Sequence, residues 1–130
     1  MSYLLDTNAV IAILNDNLDF LQKVQRHHPK DLKISSIVMF ELYFGAYKSQ
    51  RMQQNLKKLQ FLPFEILNFT AEDGLLAGRF RQELKLKGTP IGAYDVLIAG
   101  QAVNHNLTLI TDNVDEFSRI AELTIENWLR

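Results

Sequence analysis

Three acidic residues stand almost alone in long apolar stretches of this sequence: Asp6 in YLLDTNAVIAIL, Glu41 in ISSIVMFELYFGAYKS and Asp95 in GTPIGAYDVLIAGQA. Glu41 is the only charged residue from Ile34 through Tyr47, and Asp95 is the only one between Lys87 and His105. A further stretch, LTLITDNVDEFSRI, puts Asp112 and Asp115 just behind an apolar run, with Thr111 and Asn113 beside them. A buried carboxylate left alone takes up a proton, whereas several that converge on a divalent cation stay ionised. Ligation by oxygen alone suits Mg²⁺ or Mn²⁺, which keep several waters and bind phosphate oxygens in the open positions. The chemistry expected of such a set is metal-assisted work on a phosphoryl substrate.

Each acid has a plainer use when taken singly. Asp6 is well placed to cap a helix, Glu41 and Asp95 to sit on the rims of partly exposed helices, and Asp112 and Asp115 to serve as turn residues or caps. Their joint occurrence favours the site, because the elements that carry them are ones an α/β fold brings together. YLL reads as a short buried strand that runs into Asp6, Thr7 and Asn8, three helix-capping types, and then into the apolar AVIAIL. LDFLQKVQRHH reads as a second helix, HPKD as a turn and LKISS as another strand. SSIVMFELYFGAYKS predicts a mostly buried helix, with Gly45 and Ala46 allowing close packing and the aromatics Phe40, Tyr43, Phe44 and Tyr47 divided between core and partner. QRMQQNLKKLQFL, with Met52, Leu56 and Leu59 at helical spacing, predicts an exposed amphipathic helix.

FEILNF is the third expected strand, and Thr70 with Asp73 three positions on starts a long helix that Gly88 stops. TPIGAYDVLIAGQAVNHN supplies a last long helix, LTLIT a fourth strand and LTIEN a fifth. Strands alternating with helices predict an α/β sandwich on a mainly parallel sheet of about five strands. In such a sheet ligands bind beyond the carboxyl ends of the strands, where Asp6 falls.

The chain has 130 residues, which suits a single domain, residues 1–130, with a real core. Its hydrophobic fraction of 47% and charged fraction of 22% are those of ordinary globular proteins. No stretch approaches the roughly 18 apolar residues of a membrane span, so a soluble, cytoplasmic protein is expected. The absence of cysteine excludes disulfides, thiolate zinc sites and cysteine nucleophiles. The net charge of -1 gives no nucleic-acid signal by itself, but with four of the 15 acids committed to a cation the 14 bases would outnumber the rest by three. That balance suits a polyanion.

These stretches, in order and over essentially the whole chain, resemble the PIN-domain ribonucleases, specifically the VapC-type toxins of bacterial toxin–antitoxin pairs. The resemblance implies a three-layer α/β/α sandwich and a Mg²⁺- or Mn²⁺-dependent endoribonuclease that cuts a structured RNA such as tRNA and inhibits translation. It implies Asp6, Glu41 and Asp95 as the catalytic, metal-binding acids and Thr7, Asn8 and Thr111 as polar supports. Many relatives carry the fourth acid, and many VapC-type members an Asn, where this chain has Asn113; Asp112 and Asp115 are the neighbouring candidates. Attack by water would leave a 5′-phosphate and a 3′-hydroxyl. Arg79, Arg81, Lys85 and Lys87, in GRFRQELKLKG, lead toward Asp95 and are the expected RNA contacts, with Arg51, Lys57 and Lys58 as further candidates. A homodimer and a small cognate antitoxin that blocks the acids are the implied partners. His27, His28 and His105 lack metal-ligand spacing and receive no role.

Two other readings share some of these features. A receiver-like signalling domain also places Mg²⁺-binding acids on an α/β sheet, but FEILNFT ends without an Asp and LTIENWLR offers no Lys. A catalytically inactive PIN-like interaction module would keep the fold without turnover.

Overall fold

Short apolar runs become strands here because their neighbours cover them on both faces. In the computed structural model, which describes residues 1–129, β1 (Tyr3–Leu5), β2 (Leu32–Ser35), β3 (Glu65–Leu67), β4 (Thr108–Ile110) and β5 (Ile125–Glu126) form one sheet. The order is β3-β2-β1-β4-β5 and every pairing is parallel. Tyr3, Leu4 and Leu5 pair with Leu32, Lys33 and Ile34 on one side and with Thr108, Leu109 and Ile110 on the other. Leu4, Leu5, Leu32, Ile34 and Leu109 are fully buried, as expected of central parallel strands with both faces covered.

Seven helices connect and cover the strands: α1 (Thr7–Leu14), α2 (Leu18–Val24), α3 (Ser36–Tyr47), α4 (Met52–Gln60), α5 (Ala71–Leu86), α6 (Ala93–Asn104) and α7 (Val114–Phe117). The chain winds from β1 outward to β3, then crosses to β4 on the far side of β1. Because crossovers are right-handed, this reversal puts helices on both faces and makes the β1–β4 junction the switch point. A receiver-like sheet has the order 2-1-3-4-5, so the observed order does not favour that reading. Among the described residues, no helix is long and apolar enough to cross a membrane.

α5 and α6 form the hairpin that later orients the site. Thr70 and Asp73 close the expected capping box, and Gly88, at φ +70°, ends the turn after α5. Asp73 is fully buried; burial alone would raise its pKa, but donation from the Thr70 backbone and the Asn104 amide, with the charge of His105, holds it below the usual carboxylate range. Gly100 lets the helices touch: a Cβ there would lie 2.7 Å from both the Cβ and the backbone nitrogen of Ala77. Replacing Gly100 with Ala should therefore cost about 1–3 kcal/mol, read as a lower denaturation midpoint, because backbone must move to admit the methyl.

The structure corrects the expected burial of α3. Val38, Met39, Leu42 and Ala46 are buried, but Phe40, Tyr43, Phe44 and Tyr47 form an exposed face between 40% and 63% accessible. The helix is apolar all round, so periodicity carried no mark of which side met the core. Gly45 has no neighbour within 4 Å of where a Cβ would stand; the close approach belongs to Gly100 instead. α6 also begins later than expected, since Pro90 restrains Thr89 to extended backbone and Gly92 is the N-cap.

Candidate active site

β1 and β4 end side by side, and their last residues deliver the first two components. The Asp6 amide continues the ladder by donating to the Ile110 carbonyl at 3.1 Å, and the Thr111 amide donates to the Glu126 carbonyl at 3.1 Å. The Asp6 carboxylate accepts from the Ala9 backbone at 2.8 Å and from the Thr111 side chain. Asp6 is therefore both a cap for α1 and part of the acidic site. Only 6% of it is exposed.

Asp95 lies in the first turn of α6, where the helix N-terminus favours negative charge. Its carboxylate packs on Gly92, where a Cβ would come within 2.9 Å of Oδ2. Burial pushes Asp95 up to about 6, assisted by the charges of Glu116 and Glu41 and by a hydrogen bond shared with Glu116. Burial likewise pushes Asp6 up to about 6 against its bonds to Thr111 and Ala9, with Asp112 and Asp95 adding to the rise. The charged groups that act on these two are other carboxylates. Like charges gathered in a half-buried place call for a cation.

Glu41, on α3, accepts from the Thr7 hydroxyl at 3.1 Å, which ties it to the start of α1. Asn8 donates to Asp112 at 3.3 Å, at an exposed position. Asn113 stands at the N-cap of α7, donates its backbone N–H to the Thr111 hydroxyl oxygen at 3.0 Å and donates its side-chain amide to Glu116 at 2.9 Å. Thus Thr7, Asn8, Thr111 and Asn113 each hold or neighbour an acid, as supports would.

Glu116, which its polar surroundings do not mark in the sequence, meets Asp95 through a side-chain hydrogen bond. Asp115 is exposed, and its side chain has no partner among the described residues. The signal was available: on a helix capped by Asn113, residues 113 and 116 lie on one face, and 115 points elsewhere. Among the described residues, no three acidic or imidazole groups are already gathered tightly enough to enclose an ion. The donor set nevertheless fits a hard divalent cation: carboxylates, amides and hydroxyls, all oxygen ligation, with charge left uncompensated. An apolar-floored cavity of about 240 Å³ opens beside Thr7 and Glu41, with Lys58 on its rim.

The basic residues divide. Arg79 donates from Nη2 to both carboxylate oxygens of Glu122 at 2.7–2.8 Å and lies 3.6 Å from Glu83, so its guanidinium is engaged within the protein. Arg81, Lys85 and Lys87 are exposed and have no partner among the described residues. The histidines have structural contacts: His27 stacks on Trp128 at 4.6 Å, His28 caps a short turn, and His105 pairs with Asp73 at 3.0 Å.

Residues 3–123 match the PIN domain family. Ribonuclease VapC2 of Rickettsia felis is 42% identical over 98% of both chains, and the tRNA(fMet)-specific endonuclease VapC of Salmonella typhimurium is 35% identical over 98% of both. The crystal structure of VapBC2 from Rickettsia felis bound to a DNA fragment from their promoter contains a chain that superposes with a TM-score of 0.91 at 38% identity, covering 98% of this chain and 99% of that one. A chain of the DNA-bound VapBC structure from Salmonella typhimurium does so with a TM-score of 0.91 at 35% identity, covering 98% of each. With sequence, fold and the switch-point acids in agreement over nearly its full length, the chain belongs to the PIN-domain family, among the VapC-type ribonucleases.

Proposed function

We propose that Asp6, Glu41, Asp95 and Glu116 are the metal-binding acids of an endoribonuclease toxin that hydrolyses a structured RNA, with tRNA the foremost candidate. The observation that carries this is the pair of carboxylates at the β1–β4 junction raised to about 6 by burial and by one another's neighbours. A bound Mg²⁺ or Mn²⁺ would supply positive charge to the phosphoryl group and acidify water. The chain's own part is to place the acids. Thr7 orients Glu41, Thr111 and the start of α1 orient Asp6, and Asn113 orients Glu116. Asp112, which accepts from Asn8 and whose charge helps raise Asp6, is proposed as an outer ligand acting through water. The tRNA reading draws on the Salmonella relative, whose name specifies tRNA(fMet).

Arg81, Lys85 and Lys87 are proposed as phosphate contacts, while the Arg79 guanidinium is engaged by Glu122. An antitoxin partner is supported by the VapBC complexes among the structural relatives. A homodimer is supported by the exposed α3 face, where Phe40, Tyr43, Phe44 and Tyr47 join Ile66 of the edge strand β3. Substituting both Phe44 and Tyr47 with Asp should convert a dimer to a monomer in light scattering at micromolar concentration; an unchanged mass would sink this interface.

The direct test incubates antitoxin-free protein with total cellular RNA, with Mg²⁺ or Mn²⁺ and with chelator, and maps new 5′-phosphate ends by sequencing. Discrete metal-dependent ends are expected. Products ending in 2′,3′-cyclic phosphate would refute the hydrolytic mechanism.

A further inference from the structure

We infer that the cavity between α1, α3 and α4 seats the base of a nucleotide next to the cleaved phosphodiester, with Lys58 on that nucleotide's phosphate. This rests on the nuclease reading and extends it to how the substrate is held. The cavity is the one of about 240 Å³ on whose wall Thr7 and Glu41 stand, tied by their 3.1 Å hydrogen bond. A nucleotide seated there is therefore adjacent to the acids.

The open space has a local cause. Gly45 of α3 lines the cavity, and nothing lies within 4 Å of where a Cβ would stand. Glycine within a helix is destabilising relative to alanine, and no close contact demands it at this position. What it leaves is room. Ile11 and Leu14 from α1, Leu42 from α3 and Leu59 from α4 give that room apolar sides, which suit the face of a base released from its stack.

Charge and the continuity of the substrate point to the same occupant. Lys58 is the one cation among the lining residues, and it has neither an ion pair nor a hydrogen bond among the described residues. Arg51 and Lys57, its neighbours on the same segment, do not line the cavity. An RNA whose phosphate lies over the acids must continue on either side of them. On the α6 side, Val96, which follows Asp95, borders the surface that carries Arg81 and Lys85; on the α3 side, Glu41 borders this cavity, and the two share no lining residue. Each flank joins an apolar surface to an unpaired cation, as a base and its phosphate require. The Asn55 amide nitrogen donates to Ser49 at 2.9 Å, which leaves its oxygen as an acceptor, and the Asn15 side chain has no partner among the described residues. Donors and acceptors are both present, so the cavity holds a base by its apolar faces without choosing among the four.

The test uses short RNAs carrying the cut site mapped for the wild-type protein, with a single abasic nucleotide stepped through the flanking positions. Single-turnover cleavage with Mg²⁺ is compared for wild type and for Gly45→Leu, whose side chain would fill the cavity, with thermal melts confirming that each is folded. Wild type should lose about tenfold at one position beside the cut. Gly45→Leu should cleave intact RNA about tenfold more slowly and lose less than about twofold further from the abasic nucleotide at that position. In a second arm, RNA affinity is measured against salt with Mg²⁺ in the Asp95→Asn background, where the substrate survives. Adding Lys58→Gln should make the slope of log affinity against log salt shallower by about 0.7–0.9, whereas Lys30→Gln, before the far end of β2, should leave it unchanged. A wild type indifferent to abasic nucleotides beside the cut, an equal abasic penalty in Gly45→Leu, or an unchanged slope with Lys58→Gln would overturn the proposal. Folded Gly45→Leu that cleaves like the wild type but no longer binds the cognate antitoxin would also overturn it and give the cavity to that protein. Absence of any metal-dependent cleavage by wild type would instead bring down the nuclease reading, and this one with it.

Discussion

Asp95→Asn should lose RNA cleavage by about a thousandfold or more while melting at a temperature no lower than the wild type in metal-free buffer at pH 7.5. The loss follows from removing an anionic donor from a site that stabilises developing charge on a phosphoryl group, an effect of several kcal/mol and therefore of orders of magnitude in rate. The retained stability follows from the neighbours. Asp95 faces the charges of Glu116 and Glu41 and shares a hydrogen bond with Glu116, so an amide of the same shape relieves repulsion and can donate to Glu116. Asp6→Asn should behave similarly in activity and still cap α1, because the amide oxygen can accept from Ala9. Glu116→Gln separates the two candidates for the fourth acid: it should fall with Asp95→Asn, whereas Asp115→Asn should cleave like the wild type. Equal losses at 115 and 116, or full activity in Asp95→Asn, would refute the assignment.

Much of this candidate site was legible in the sequence because solitary charges in apolar runs are costly and so carry information. Asp6, Glu41 and Asp95 were marked that way, and the strand-end position of Asp6 supplied the place. Asp112 and Glu116 lacked such a mark, since TDNVDEF is polar throughout and a four-residue helix is too short for its period to show. Which acid faced inward depended on Asn113 capping α7, a matter of local backbone. The strands and the capping box of α5 were visible from composition and spacing, and all five strands fell where the sequence put them. What α3 buries was not visible, because both of its faces are apolar and the positions of β2, α1, α4 and α6 decide which is covered. Arg79 and Arg81 differ for a related reason: two residues apart on a helix, they face opposite ways, one toward Glu122 and one toward Pro90 and Ile91.

Acid should stabilise the metal-free protein, in contrast to the usual behaviour of carboxylates engaged in ion pairs. Asp6 and Asp95 are raised from 3.8 to about 6, so between those values the folded chain holds protons that the unfolded chain releases. Stability therefore falls as pH rises through that window. For the buried Asp6 the shift corresponds to at most about 3 kcal/mol, and Asp95, being partly exposed and screened, adds less. The buried Asp73 works the other way: its lowered pKa contributes stability above the unfolded value that is lost only in stronger acid. A thermal scan should thus show the melting temperature in chelator rising as the pH falls from 7.5 through 5 toward 3.8, then dropping in stronger acid as Asp73 is protonated. Mg²⁺ or Mn²⁺ should reverse the first trend, because a cation needs the ionised acids and stabilises only the state it binds. The melting temperature should climb with added cation at pH 7.5 and barely respond at pH 5. Wild type that is least stable at pH 5 in chelator, or that gains as much from the cation at pH 5 as at pH 7.5, would show that Asp6 and Asp95 are not the groups that a cation and a proton compete for.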